Sequence, residues 1–170
     1  MKQLFISILS LIGITACASA PQGATVINNF DVDRYLGTWY EVARLDHRFE
    51  RGLSKVTATY SFNENGTIRV QNRGFSASKN SWSESIGRAK FAGAKNEGRL
   101  KVSFFGPFYG AYNIVALDDE YQYALIVSNS LSYLWLLSRT TTIPDQIKLE
   151  YLKKAKSMGF DIDALIWVEH

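Results

Sequence analysis

The chain has 170 residues, a length that suits one domain with a sizeable core and is too short for two. Its 46% hydrophobic and 21% charged residues exclude disorder for the bulk of the chain, and its 14% aromatic residues favour strands. The 19 basic and 16 acidic residues give a formal net charge of +3 and are scattered without a basic run. We therefore expect no nucleic-acid partner.

The first residues have the pattern of a processed leader. Lys2 supplies a short positive region, and residues 4–14 form an apolar stretch that is too short to span a bilayer. The single cysteine, Cys17, ends the tetrad Ile-Thr-Ala-Cys. This tetrad resembles the bacterial lipobox, in which the cysteine is diacylated and becomes the mature N-terminus. An ordinary secretory peptide with an incidental cysteine is the alternative.

The leader divides the chain into three predicted parts. Residues 1–16 form a signal peptide, residues 17–29 a lipidated N-terminus with a small, polar tether, and residues 30–170 the folded domain. Ala18, and not Asp, follows the cysteine. By resemblance to lipoprotein sorting rules, this residue favours a lipid-anchored position at the bacterial outer membrane.

Alternation of apolar and polar residues predicts a series of strands. The alternation is clearest over residues 55–62, where Val56, Ala58 and Tyr60 share one face, and the turn dipeptide Asn65-Gly66 joins this run to the next. An open sheet of this many short strands would leave exposed edges, so we predict an all-β fold, an eight-stranded antiparallel up-and-down barrel. The predicted strands cover residues 39–45, 55–62, 68–71, 82–92, 99–105, 109–117, 121–128 and 133–139.

Two further elements are predicted after the strands. One α-helix begins near Pro144 and ends at Gly159, and residues 165–168 form a short extra strand. The helix should pack on the outside of the barrel through an apolar stripe. That stripe consists of Ile147, Tyr151, Ala155 and Met158.

Three segments carry a family resemblance. Residues 37–44, Gly-Thr-Trp-Tyr-Glu-Val-Ala-Arg, resemble the signature that opens the first strand of lipocalins, and residues 31–36 look like the short helical turn before it. Residues 118–121 precede the seventh strand and residues 134–139 end the eighth, in the family's order. The chain resembles the lipocalins and, with its lipobox-like tetrad, the bacterial outer-membrane lipoproteins among them. The resemblance implies a barrel that holds a hydrophobic ligand without a cofactor.

The resemblance also implies a structural role for Gly37, Trp39 and Arg139. In the family, the residues that match Trp39 and Arg139 stack at the closed end of the barrel, and a guanidinium over an indole gains about 0.5–2 kcal/mol. Glu41 and Arg44 have two interpretations at this point. They form either a charge pair in the pocket or part of an exposed strand face.

The apolar strand faces predict a cavity wall that suits an acyl chain, in which small residues such as Gly74 and Gly87 leave room. Residues 46–53, between the first two strands, should lie at the open end, where they either contact a polar head group or form a solvated loop. The predicted ligand-binding residues are Ala43, Val56, Ala58, Tyr60, Ile68, Val70, Ala89, Phe91, Leu100, Val102, Phe104, Tyr112, Ile114, Leu125 and Trp135.

We therefore expect a membrane-anchored protein that holds a fatty acid or lysophospholipid for lipid storage, transport or maintenance in the envelope. A structural or inhibitory envelope lipoprotein with a filled barrel is one alternative, and a lipocalin-type enzyme is another. Catalysis and metal binding are not expected, because beyond Cys17 the chain has no cysteine nucleophile and its two histidines, His47 and His170, form no triad or metal set. Residues 104–109 either close a rim or form a homodimer contact.

Overall fold

The structure is a computed structural model that describes residues 20, 21 and 23–170. The predicted signal peptide and Cys17 lie outside these residues. Within them the chain forms nine strands and two α-helices. The helices are α1 (Val32–Tyr35) and α2 (Asp145–Ser157), with 3₁₀ turns at Ala77–Lys79 and Ile162–Ala164. The strands are β1 (Gly37–Arg44), β2 (Leu53–Phe62), β3 (Ile68–Ser76), β4 (Ser81–Phe91), β5 (Arg99–Phe105), β6 (Phe108–Leu117), β7 (Tyr123–Val127), β8 (Leu134–Ser138) and β9 (Ile166–Trp167).

Strands β1 to β8 close into a barrel. Each strand pairs antiparallel with the next in the chain, and β1 pairs with both β2 and β8, so that the sheet has no free edge between them. The predicted eight-stranded up-and-down barrel is confirmed. The short strand β9 pairs with β1 at Ala43 and Arg44, as the predicted terminal strand.

One strand is longer than the sequence pattern predicts. Strand β3 continues to Ser76, although the clean alternation ends at Gln71. Asn72 and Gly74 interrupt the apolar pattern, but the backbone remains paired with β4 through Ser76. The second half of β3 is therefore not predicted by the alternation, because a polar side chain and a glycine occupy positions where the pattern requires apolar residues.

Helix α2 packs against the outside of the barrel through the predicted stripe. Tyr151, Ala155 and Met158 are buried, Ile147 packs beside them, and the Tyr151 hydroxyl donates to the Tyr123 carbonyl oxygen at 3.1 Å. The predicted helix and its face are confirmed. Among the described residues, no helix is both long and apolar enough to cross a bilayer.

The residues before α1 also pack on the barrel. Val26 and Phe30 are buried, and the Ile27 amide donates to the Ile114 carbonyl at 3.0 Å while the Ile27 carbonyl accepts from Gly98 at 2.9 Å. A Cβ at Gly98 would lie 2.7 Å from the Ile27 side chain, so this close approach requires glycine. The last residues of the predicted tether are therefore a fixed part of the fold.

Candidate functional site

The closed end of the barrel is held by Arg139. Its Cζ lies 3.9 Å from the centroid of the Trp39 ring, and the Trp39 indole donates to the Tyr35 carbonyl at 2.9 Å. The guanidinium also donates at 2.9–3.2 Å to the backbone carbonyl oxygens of Arg34, Tyr35, Leu36, Thr38 and Tyr121. One side chain thus joins α1, the start of β1 and the loop before β7.

Gly37 allows this arrangement at the start of β1. Its φ of +94° lies in the region that favours glycine, and a Cβ there would lie 3.3 Å from Arg139 Nη1. A side chain at Gly37 would therefore combine backbone strain with a tight contact against the guanidinium.

Three tyrosines form a floor across the barrel interior above this closed end. The Tyr112 hydroxyl lies 2.7 Å from that of Tyr35 and 2.8 Å from that of Tyr60. Burial raises the pKa of all three hydroxyls, so they stay protonated and satisfy one another as donors and acceptors. Tyr60 and Tyr112 face the space above, and they mark its lower boundary.

Above the tyrosine floor the barrel encloses a cavity of about 980 Å³ that opens at the opposite end. This volume falls at the upper end of ordinary ligand pockets. A barrel filled by its own side chains, one of the two alternatives to a carrier, does not match this open interior. The predicted residues that line the cavity are Val56, Ala58, Tyr60, Val70, Val102, Phe104, Tyr112 and Trp135.

Five other residues of the predicted wall lie lower in the barrel, in the packed core of the closed end. They do not line the cavity, because the tyrosine floor separates this core from the open space. Periodicity placed them correctly on the inward face but could not show how deep along the strand the open space extends. They are Ile68, Ala89, Phe91, Leu100 and Ile114.

Two residues of the predicted wall face the wrong way. Ala43 and Leu125 pack in the second core, between the barrel and α2. The register of β1 against β8 shifts between Glu41 and Ala43, and such a bulge inserts one residue and reverses the alternation after it. Leu125 belongs to a strand that is buried on both faces, so alternation alone cannot decide its direction.

Gly87 does not leave room in the cavity, contrary to the expectation for small residues of the wall. A Cβ at this position would lie 2.7 Å from the Ser103 carbonyl oxygen and 2.8 Å from the Phe104 ring. The space beside Gly87 is therefore occupied by a neighbouring strand. Gly74 lines the cavity, but a Cβ there would lie 3.0 Å from the Leu53 side chain, so the space beside it is also partly filled.

The mouth of the cavity contains a buried charged cluster, Glu41, Arg44, His47 and Glu50. Arg44 Nη1 donates to Glu41 Oε1 at 2.7 Å, and its Nη2 donates to the Glu50 carbonyl oxygen at 2.7 Å. His47 Nε2 lies 3.0 Å from Glu50 Oε2, which also accepts from the Trp135 indole at 3.2 Å. Of the two open interpretations, the charge pair in the pocket is the one that matches, because both side chains are buried.

The two carboxyl groups of this cluster have opposite pKa shifts. Burial raises the pKa of Glu41 well above its ordinary value, and the negative charge of Glu50 raises it further against the effect of Arg44. Burial also opposes charge on Glu50, but the hydrogen bond and charge of His47, with hydrogen bonds from Glu41 and Trp135, lower its pKa. Of the two carboxyl groups, Glu41 is therefore the one whose pKa is raised and Glu50 the one whose pKa is lowered.

Aromatic rings surround His47 at the mouth. The imidazole lies 5.4 Å from the Trp135 ring, 5.6 Å from the Tyr133 ring and 6.1 Å from the Phe49 ring, measured between centroids. The predicted loop 46–53 is therefore mixed in character, since His47 and Glu50 are buried while Phe49 is exposed. An amphipathic ligand would meet both rings and polar groups here.

Sequence reasoning missed several polar residues of the wall. Asn72 lines the cavity on β3, and its buried Oδ1 has no hydrogen-bond partner among the described residues. Ser83 and Ser85 line it from β4. These residues carry no apolar signal, and only their register across from the inward positions of the neighbouring strand could have indicated them. An acceptor such as Asn72 Oδ1 can bond a hydroxyl of a ligand or a water molecule.

The site contains no group arranged for metal chemistry within the part of the chain that the structure describes. No three His, Cys, Asp or Glu side chains there are close enough to hold an ion. The geometry of the cavity is that of a binding pocket with an apolar wall and a polar mouth.

The closed barrel, the short helix α1 that precedes it and the interior cavity define a lipocalin. The family model of the lipocalin-like domain matches residues 30–170, and the chain belongs to this family. It is 55% identical over 158 residues to the outer membrane lipoprotein Blc of Escherichia coli K12, which covers 92% of this chain and 89% of that protein. It is 45% identical over 170 residues to the outer membrane lipoprotein Blc of Vibrio cholerae, which covers 99% of both.

Solved structures show the same fold at lower identity. Insecticyanin from the tobacco hornworm Manduca sexta superposes with a TM-score of 0.72 at 18% identity, over 89% of this chain and 86% of that one. The likeness concerns the barrel and not the ligand.

Proposed function

We propose that this lipocalin binds one fatty acid or lysophospholipid, with the acyl chain in the barrel and the head group at the mouth. The observation that carries the proposal is the open cavity of about 980 Å³, which is apolar around Val70, Val102 and Phe104 and polar near His47 and Glu50. An acyl chain that enters such a cavity contributes about 0.8 kcal/mol for each buried methylene. Membership of a family whose members are typically binding proteins favours a binding protein over an enzyme.

A single acyl chain fits this geometry better than two. The barrel has eight strands, a size that leaves room for one small ligand, and the tyrosine floor limits the depth of the cavity. The head group can stay in water at the mouth, whereas a second chain would compete for the same space. The affinity should therefore depend on chain length more than on the head group.

The second half of the proposal is a lipid anchor at Cys17 and a position at the bacterial outer membrane. Its support is the lipobox-like tetrad and the names of the relatives from Escherichia coli and Vibrio cholerae, which are outer membrane lipoproteins. An anchored carrier of this kind would hold lipid for storage, transport or maintenance of the envelope.

A titration of tryptophan fluorescence tests the ligand. Trp135 lines the cavity, so its emission should change when a ligand enters. We expect the affinity to rise along a series of fatty acids of increasing length, and a lysophospholipid to bind more tightly than its two-chain parent. Organic extraction of the protein purified from its host should release single-chain lipid.

Two results would contradict the ligand proposal. The first is an affinity that does not change with chain length, and the second is tighter binding of a rigid polycycle than of any acyl chain. The matched controls are Ala58→Leu, which narrows the cavity, and Leu149→Ala on the exposed side of α2, which should leave the titration unchanged.

A further inference from the structure

Three polar side chains lie together on one wall of the otherwise apolar cavity. Asn72 comes from β3, and Ser83 and Ser85 come from β4. The register places Asn72 opposite Ser85, and Gly74 opposite Ser83, so that these positions share the inner face of two neighbouring strands. We define Asn72, Ser83 and Ser85 as the polar stripe.

The polar stripe begins close to the floor of the cavity. Tyr60, whose hydroxyl belongs to the tyrosine floor, pairs with Val70, and Val70 pairs with Gly87. Asn72 and Ser85 are the next inward positions on their strands, two residues or about 7 Å further along. The stripe is therefore separate from the charged cluster of the mouth, which belongs to β1 and the loop that follows it.

The polar groups of the stripe have no hydrogen-bond partner among the described residues. Asn72 Oδ1 is buried without one, and no described residue bonds the hydroxyl group of Ser83 or Ser85. Ala58, which lies opposite Asn72 on β2, contributes only a methyl group beside the amide. Since polar groups inside proteins are normally hydrogen-bonded, the partner of the stripe must come from a ligand or from water.

An unsubstituted acyl chain cannot provide this partner. Methylene groups neither donate nor accept, so a chain that packs against the stripe removes water from its polar groups without replacing the hydrogen bonds. A hydroxyl group on the chain both donates and accepts. It can bond the oxygen or the nitrogen of the Asn72 amide and the hydroxyl group of a serine.

We propose that the polar stripe selects acyl chains that carry a hydroxyl group within the chain. The inference rests on the proposed function, because it requires the chain to lie in the barrel with its head group at the mouth. In that orientation the carbon atoms next to the head group stay near the mouth, whereas a hydroxyl further along the chain reaches Asn72 and Ser85. The ligand class is therefore a single-chain lipid with a mid-chain hydroxyl group.

The test compares fatty acids of one length that differ only in a hydroxyl group. The full chain with Cys17→Ser is titrated with stearic acid and with its 2-, 9- and 12-hydroxy derivatives, and the fluorescence of Trp135 reports binding. We expect a mid-chain hydroxy acid to bind about three- to tenfold more tightly than stearic acid, and the 2-hydroxy acid to bind like stearic acid. In a wholly apolar wall the same mid-chain hydroxyl would lose its bonds with water and weaken binding, so the direction of the change is informative.

A double variant assigns the preference to the stripe. Asn72→Ala with Ser85→Ala should bring the ratio of the two dissociation constants, for stearic acid and for the preferred hydroxy acid, down to about one or below. The matched control combines Ser61→Ala with Asn96→Ala, which also removes one hydroxyl and one amide but outside the cavity, and it should keep the ratio of its parent. Thermal melts check that both double variants are folded.

The outcomes keep this inference apart from the proposed function. Strand β4 pairs with β5 only from Arg88 to Phe91, so water can reach the serines from the side. If stearic acid binds with the expected dependence on chain length but no hydroxy acid binds more tightly, water satisfies the stripe, and the inference fails while the proposed function stands. A preference that survives in the stripe variant would also overturn the inference. If no fatty acid of either kind binds, both proposals fail.

Discussion

Arg139 combines two kinds of interaction that usually occur separately. Its guanidinium covers the Trp39 ring and donates to five backbone carbonyl groups at the closed end. Carbonyl groups at the ends of strands and helical turns would otherwise lack partners, and water cannot easily reach those that are half-buried. The residue is therefore a cap for several elements at once.

We predict that Arg139→Ala destabilises the protein by about 2–4 kcal/mol, since it removes the cation–π contact and leaves several carbonyl groups without a donor. Urea denaturation followed by fluorescence measures the change. Arg69→Ala is the control, because its guanidinium bonds the side chain of Gln71 on the outer face of β3. Equal midpoints and slopes for the two variants would show that the stack contributes nothing beyond a surface arginine.

Glu41 provides a pH signature of the charged cluster. Its folded-state pKa is raised by burial and by Glu50, so between the ordinary pKa of a glutamate, about 4.3, and the raised value the folded state binds more protons than the unfolded state. The contribution of Glu41 to stability is thus fully present below the unfolded pKa and is lost as the pH rises through the folded one.

We predict that Glu41→Gln removes this loss. The free energy of unfolding of the parent, minus that of the variant, should fall as the pH rises from about 4.3 towards the raised pKa. Denaturation at a series of pH values measures the difference. Glu64→Gln, at an exposed turn, should show no such fall, and a difference that rises with pH would mean that Glu41 is charged in the folded protein.

At the level of elements, the bulge in β1 decides which side chains enter the cavity. Before it, Trp39 and Glu41 face the interior, and after it Ala43 faces α2 while Arg44 turns inward to Glu41. The same strand therefore supplies the closed-end stack, the charged cluster and part of the seat for the helix. In a regular strand Glu41 and Arg44, three residues apart, would lie on opposite faces, so the bulge is what brings both side chains to the interior.

We predict that leucine substitutions at two alanines on neighbouring strands affect different properties, one the stability and the other the ligand affinity. Ala43→Leu should lower stability by about 1–3 kcal/mol, because Ala43 is fully buried beneath α2, and should leave acyl-chain affinity unchanged. Ala58→Leu should weaken the binding of long acyl chains with little loss of stability, because Ala58 faces the open cavity. Urea midpoints and fluorescence titrations measure the two properties. A loss of affinity in Ala43→Leu at unchanged stability would place Ala43 in the wall after all.

At the scale of the whole molecule, the two ends of the barrel differ in structure: one end is closed and packed, and the other contains the cavity mouth. The closed end is packed around Arg139 and receives the chain from Val26 to Phe30, which is hydrogen-bonded to Asn96, Gly98 and Ile114. The N-terminal segment thus reaches the barrel at the end opposite the cavity mouth.

We predict that Cys17→Ser moves the protein from the membrane fraction to the soluble fraction of its bacterial host. Several acyl chains on one residue hold a protein almost irreversibly, at about 0.8 kcal/mol for each buried methylene. Fractionation at high salt measures the location, and mass spectrometry of the N-terminal peptide measures the acylation. Unchanged fractionation, with no acyl mass on Cys17, would rule out the anchor.

The class of fold follows from the sequence alone, because the patterns that indicate it are local and repeated. Alternation of period two, short turns such as Asn65-Gly66 and the Gly37 to Arg44 signature are each read from adjacent residues. The stripe of α2 follows in the same way from helical spacing. Interior positions in regular strands, such as Val56, Ala58 and Val70, were correct for the same reason.

The open part of the interior and the charges buried there depend on contacts between residues far apart in the chain. The tyrosine floor joins Tyr35, Tyr60 and Tyr112, which lie far apart in the chain, and no local pattern shows that their hydroxyl groups meet. The bulge that turns Ala43 outward depends on the register against β8, and the burial of Glu41 and Glu50 depends on the loop that folds over the mouth. Side chains alternate by local geometry, but depth, register and burial are set by the strands and loops packed around them.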